Sequence, residues 1–205
     1  MRHLALPLAA AAASLALASC ALAQTPPSHD PASIKIGDYV VEPNHTRVLF
    51  SVSHMQFTTY FGEFTGVSGK LNLNPSSPGA SHVEVSIPTA TISTSNATLN
   101  GELKGGDWLD ATKYPTITFV STEVTPTGPD TARITGNLTL HGVTHPEVLE
   151  AKFNAAGVNP LDGKYTAGFN ATAHISRSDY GVKKYVPLIG DNIDIIISAA
   201  FEKAD

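Results

Sequence analysis

The chain has 205 residues, enough for one hydrophobic core and short for two. Charged residues make up 15% and hydrophobic ones 42%, which excludes a disordered, highly charged chain. The net charge of −5 lacks the basic excess that binding to a phosphate backbone needs, so nucleic acid is excluded as a partner class. One cysteine forbids an internal disulfide and a cysteine-based zinc cluster.

The chain opens with Met1-Arg2-His3, an apolar Ala-rich run from Leu4 to Ala18, and Ala21-Leu22-Ala23 before Gln24. A short positive start, an apolar stretch and a small-x-small site define a secretory signal peptide over residues 1–23. The apolar run is shorter than the ~20 residues a membrane span needs. A second pattern overlaps the first: Leu17-Ala18-Ser19-Cys20 is similar to a bacterial lipobox, in which Cys20 becomes a lipidated first residue. Cleavage after Ala23 is the first reading, and a membrane-tethered lipoprotein through Cys20 is the alternative. Residues 24–37, rich in Pro, Ser and Thr, read as a flexible leader. Residues 38–205 then form one domain.

From Tyr39 onward the hydrophobic pattern has period two, the period of a half-buried strand. Val48, Phe50 and Val52 share one face. So do Val83, Val85 and Ile87, and so do Ile117 and Phe119. Ile134, Leu138 and Leu140 follow, then Ala167, Phe169, Ala171, Ala173 and Ile175, and last Ile193, Ile195, Ile197 and Ala199. Turn signals lie between these runs at Asn74-Pro75, Gly128-Pro129-Asp130 and Asn159-Pro160-Leu161-Asp162-Gly163. The interruption is residues 93–109. There Asn96 is placed to cap a short helix through Leu99, Glu102 and Leu103 that ends near Gly105-Gly106. About eight strands and one helical insertion suit either a sandwich or a closed barrel, and composition does not choose. The alanine-rich face from Ala167 to Ile175 favours a barrel with space inside, because small inward side chains leave volume unfilled.

No nucleophile elbow, H-E-x-x-H, dinucleotide or Walker motif is present. His141 and His145 have the spacing of two metal ligands on a helix. Gly142 and Pro146 instead place them at a strand end and hairpin turn, so no metal site is expected. The rival enzymatic reading is a hydrolase or a quinone-linked redox accessory using His141 or His174. A third reading is a β-domain that acts through its surface. From alternation alone, Phe50, Val52, Phe119, Leu138, Phe169, Ile195 and Ile197 are assigned to an inner wall. Trp108 either lines the lumen or plugs its end. Phe57 and Phe64 flank Gly62 with Tyr60 and Phe61, as a mouth or as core. Arg177 either offers its planar fork of donors to a phosphate or quinone oxygen, or pairs with Asp179 in a loop.

Four segments in order resemble the YceI-like family of exported bacterial lipocalin-like proteins. They are Phe61-Gly62-Glu63-Phe64 with Gly66-Val67-Ser68-Gly69-Lys70-Leu71; Leu103-Lys104 through Trp108-Leu109-Asp110-Ala111-Thr112-Lys113-Tyr114-Pro115; Gly136-Asn137-Leu138-Thr139-Leu140-His141-Gly142-Val143-Thr144; and Ser176-Arg177-Ser178-Asp179-Tyr180-Gly181. The resemblance implies an all-β, eight-stranded antiparallel lipocalin-like barrel with a short helical insertion. It implies a binding protein, not an enzyme, with no cofactor. A long isoprenoid or acyl amphiphile would fill its tunnel: an isoprenoid quinone, a polyprenyl phosphate or a fatty amide. It also implies a periplasmic location. The family often has His where this chain has Glu102, so a head-group contact from that position is in doubt. The sequence leaves transient membrane contact and a homodimer open.

Overall fold

A computed structural model describes residues 25–204. The expected signal peptide, its Ala23 cleavage point and Cys20 lie outside the described residues. Ten strand segments follow in order: β1 (Gly37–Val41), β2 (Arg47–His54), β3 (Thr58–Phe64), β4 (Ser68–Leu73), β5 (His82–Pro88), β6 (Thr116–Pro126), β7 (Thr131–Leu140), β8 (Val143–Val158), β9 (Tyr165–Ser176) and β10 (Ile189–Lys203). The helix α1 (Ala97–Leu103) lies between β5 and β6.

All neighbouring pairs are antiparallel. Segments β1, β4, β5, β6, β7, β8, β9 and β10 form a ring that closes through the β1–β10 pairing. The β2–β3 hairpin extends the ring against the first part of β10. Thus β1 with β2, and β3 with β4, are two halves of two bent strands, and the ten segments make an eight-stranded closed barrel. The first bend has a local cause. At Pro43-Asn44-His45 the Glu42 carboxylate accepts the Asn44 and His45 backbone N–H groups at 2.9 and 2.8 Å, which draws the chain into a turn.

Two tight turns fix the register at the upper end of the barrel. Met55 and Gln56, between β2 and β3, have φ of 52° and 61°; His141 and Gly142, between β7 and β8, have φ of 53° and 76°. Two successive left-handed residues match the twist of the flanking strands. The upper end also carries α1, whose first turn is capped as expected: Asn96 Oδ1 accepts the Leu99 N–H at 3.1 Å. At the lower end Tyr39 and Ala167 are fully buried, and Phe153, Phe169 and Phe201 stack in series at 5.6 and 6.1 Å.

The leader makes contacts with the barrel. Ser28 forms a β-bridge with Ala156, the Tyr165 hydroxyl donates to Ser33 O at 3.1 Å, and Ile34 joins the core. Residues 28–34 are therefore docked beneath the barrel. The polar composition hid one apolar anchor, Ile34, and a bridge made entirely by backbone.

Candidate ligand tunnel

Alternation sends every second side chain inward, yet the inward face is not filled. Phe50, Phe64, Phe169, Ile193, Ile195 and Ile197 all face inward and are only half-buried, which a solid core would not permit. The space they surround is a cavity of about 440 Å³ with an overwhelmingly apolar lining. That volume lies in the usual range for a site that encloses one small ligand.

Glycines shape this wall. The Phe119 ring lies on Gly136 of the neighbouring strand, where an added Cβ would stand 2.4 Å from the ring edge. The Phe50 ring lies on Gly62 in the same way, at 2.3 Å. Each ring edge occupies the place a side chain on the neighbouring strand would take. On β9 the small Ala171 also lines the cavity.

The upper end is roofed by α1, the following loop, and residues 177–188. Arg177 organises this roof and is 5% exposed. Its Nε donates to Gly190 O, one Nη to Val182 O, and the other to Lys184 O and Ile189 O, at 2.8 to 3.0 Å. Burial lowers its pKa, and the nearby Asp191 charge opposes that shift. Trp108 lies under the guanidinium, 5.5 Å from ring centroid to Cζ, and meets Tyr185 edge-on. Lys184 ties the two parts of the roof together by an ion pair to Asp107 at 2.7 Å. The fully buried Tyr180 donates its hydroxyl to Glu147 Oε1 at 2.7 Å; burial, then Glu147, pushes the phenol pKa up.

The structure places ten of the eleven sequence-assigned residues on the cavity wall: Phe50, Val52, Phe64, Trp108, Phe119, Leu138, Phe169, Arg177, Ile195 and Ile197. Phe57 stands outside it, 87% exposed beside the β2–β3 hairpin tip. Arg177 does not pair with Asp179, as one reading had it; its donors are used by the main-chain carbonyls of the roof loop. Sequence reasoning missed Glu147, Leu149 and Ile34, which also line the cavity. Glu147 has no periodic signal because a carboxylate breaks the apolar alternation of its face.

His141 lies in the β7–β8 turn, as Gly142 indicated, whereas His145 and Pro146 already belong to strand β8. Both bind the turn above them: His141 Nδ1 lies 3.0 Å from Tyr180 O, and His145 Nε2 lies 3.2 Å from Asp179 O. His174 sits on the outer surface with its Nδ1 2.7 Å from Asp194 Oδ1. Among the described residues no group of three or more His, Cys, Asp and Glu side chains is placed to hold a metal.

Fold and cavity together define a class: a hollow, closed antiparallel barrel of the lipocalin-like kind, with an apolar lumen. A YceI-like domain model matches residues 39–201. A UPF0312 protein of Pseudomonas savastanoi pv. phaseolicola is 40% identical over 163 residues, covering 78% of this chain and 84% of the relative. A crystal structure of the Campylobacter jejuni YceI protein superimposes with a TM-score of 0.66 at 27% identity, covering 74% of this chain and 90% of that one. A Saccharophagus degradans domain described as polyisoprenoid-binding shares the fold, with a TM-score of 0.62 at 14% identity, covering 83% of this chain and all of that one. The chain belongs to the YceI-like family.

Proposed function

We propose that this protein is exported to the periplasm and there encloses one long-chain amphiphile, for transport, storage or sequestration. The ligand class is an isoprenoid quinone, a polyprenyl phosphate or a fatty amide. The observation that carries this reading is the cavity: about 440 Å³ of apolar lumen running between strands of up to 16 residues. Each methylene removed from water contributes ~0.8 kcal/mol, so a tail alone supplies ample affinity until ordering and association costs limit it. A relative by fold described as polyisoprenoid-binding supports the same class.

The barrel offers a place for the ligand to enter. Among the described residues, β3 has no strand partner on its outer side above Glu63, where a bridge from Glu63 to Ser93 ties it to the segment after β5. The hairpin beside this edge exposes Met55, Phe57 and Phe61, and the adjoining roof loop exposes Tyr185 and Leu188. Protruding apolar side chains beside an unpaired strand edge suit brief contact with a bilayer surface.

Native mass spectrometry of the protein from its own host, followed by organic extraction, tests the reading. A stoichiometric isoprenoid or long-chain acyl compound is expected. A ligand-free mass, with no uptake of added quinone or polyprenyl phosphate, would overturn it.

A further inference from the structure

The lower end of the cavity is closed by two pieces of chain that are held in different ways. One is the β4–β5 connection, residues 74–81, which is braced from within. Asn74 Oδ1 accepts the Ser76 and Ser77 N–H groups at 3.1 Å, Ser81 Oγ accepts the Asn74 N–H at 2.9 Å, and the Ala80 N–H reaches Ser77 O at 2.8 Å. Asn74, Pro75 and Pro78 of this piece line the cavity. The other piece is the leader. Pro31 and Ile34 line the same cavity, and Ile34 is the one buried side chain among residues 25–36.

The leader lies there as a strap tied near its two ends. At its start Ser28 and Ala156 exchange backbone hydrogen bonds at 2.8 and 2.9 Å, and His29 Nδ1 lies 2.7 Å from Asn154 O. Pro27 rests on Gly157, where an added Cβ would stand 2.9 Å from Pro27 Cα. At its end the Tyr165 hydroxyl donates to Ser33 O at 3.1 Å and the Tyr39 hydroxyl to Lys35 O at 2.6 Å. Between the ties the chain bonds to itself in a single 3-10 turn, Pro31–Ser33: Asp30 Oδ1 accepts the Ala32 N–H at 2.9 Å and Asp30 O the Ser33 N–H at 3.0 Å. Positions three apart on such a turn share one side. Pro31 and Ile34 are three apart, so the turn gives its apolar side to the lumen while Asp30 and Ser33 keep to the other. A strap held by a few hydrogen bonds and one buried side chain opens at far lower cost than strands paired along their length.

We propose that the docked leader is the movable half of the tunnel floor and sets the longest tail the lumen admits, with Pro31 and Ile34 as the stop. This inference rests on the tunnel reading above and adds a determinant of chain length to it.

Calorimetry with a ubiquinone series of increasing prenyl tail length locates the tail at which affinity stops rising. Trypsin cleavage after the exposed Lys35 reports how firmly the leader is docked. Two variants of the full chain separate the roles. Ile34→Ala shortens the stop. Gly157→Val crowds Pro27 from a position outside the cavity lining. Gly157→Val is expected to speed cleavage, and both variants are expected to move the plateau to longer tails. The first tail beyond the wild-type plateau should then bind Gly157→Val roughly tenfold tighter than it binds the wild type. In the unmodified protein, cleavage is expected to slow several-fold once the tail is long enough to reach Ile34, and shorter tails should leave it unchanged. Equal cleavage at every tail length, a plateau unmoved by either variant, or a wild-type affinity that never levels off would overturn the stop, while length-dependent binding kept the tunnel reading intact. Unchanged cleavage of Gly157→Val would overturn the leader as the movable half. Affinity independent of tail length in all three proteins would overturn the stop and the tunnel reading together.

Discussion

Gly136 is paired with Glu147 across the β7–β8 ladder and lies under the Phe119 ring. A Cβ there would stand 2.4 Å from the ring and 2.6 Å from Val120 O. The ring could escape only by swinging into the lumen, and the carbonyl cannot escape without bending β6. Gly136→Ala is therefore expected to destabilise the barrel by about 1–3 kcal/mol, the usual cost of overpacking. Urea unfolding would show a lower midpoint with an unchanged slope. A loss below about 0.5 kcal/mol, within the range of ordinary surface substitutions, would mean the ring is not held against the backbone as described. The same geometry explains why a glycine in mid-strand, usually a weak point, is useful here: it leaves free the place that the edge of the Phe119 ring occupies.

At the scale of elements, the β2–β3 hairpin separates two demands. Its inward residues Phe50, Val52 and Phe64 belong to the wall, and Phe50 and Phe64 lie 5.8 Å apart. Its tip presents Met55 and Phe57 to solvent, where burial in the protein gives no reason for apolar side chains. If the tip touches bilayers, Phe57→Asp should reduce co-sedimentation with phospholipid vesicles several-fold while leaving the folded barrel's thermal midpoint unchanged. Equal sedimentation of both proteins would remove the tip from the docking surface. The hairpin also shows what a sequence displays and what it conceals. Val48, Phe50 and Val52 alternate cleanly because one face meets the lumen and the other meets water. The β8 segment does not: its inward face runs Val143, His145, Glu147, Leu149, Ala151 and Phe153, so two polar groups that serve the roof interrupt the apolar period. Pro146 on the same strand adds a false turn signal. The wall was legible where its chemistry is uniform, and the roof was not, because Arg177 meets Trp108, and Tyr180 meets Glu147, only once segments far apart in sequence have packed together. The helix α1 was legible from Asn96 because a cap is a local interaction. The docked leader was not, since most of its ties are to distant backbone.

The whole molecule sets a length as well as a volume. Strand β8 has 16 residues and β10 has 15. At ~3.3 Å per residue such strands run roughly 50 Å, and a tilt near 40° gives a barrel about 40 Å tall. A tail entering this lumen exchanges water for apolar wall along its length, up to ~0.8 kcal/mol or about fourfold in affinity for each methylene group. Imperfect contact and the ordering of a flexible chain reduce that gain. Affinity should therefore climb by roughly tenfold or more with each prenyl unit, and then stop climbing when the lumen is full. Beyond that point added units stay in water and change little. Calorimetry on a quinone series of increasing tail length would read both the plateau and the negative heat-capacity change that apolar burial produces. Affinity independent of tail length would place the ligand on the surface, and affinity still rising past any length the barrel could contain would mean the tail leaves through the lower end, past Ile34.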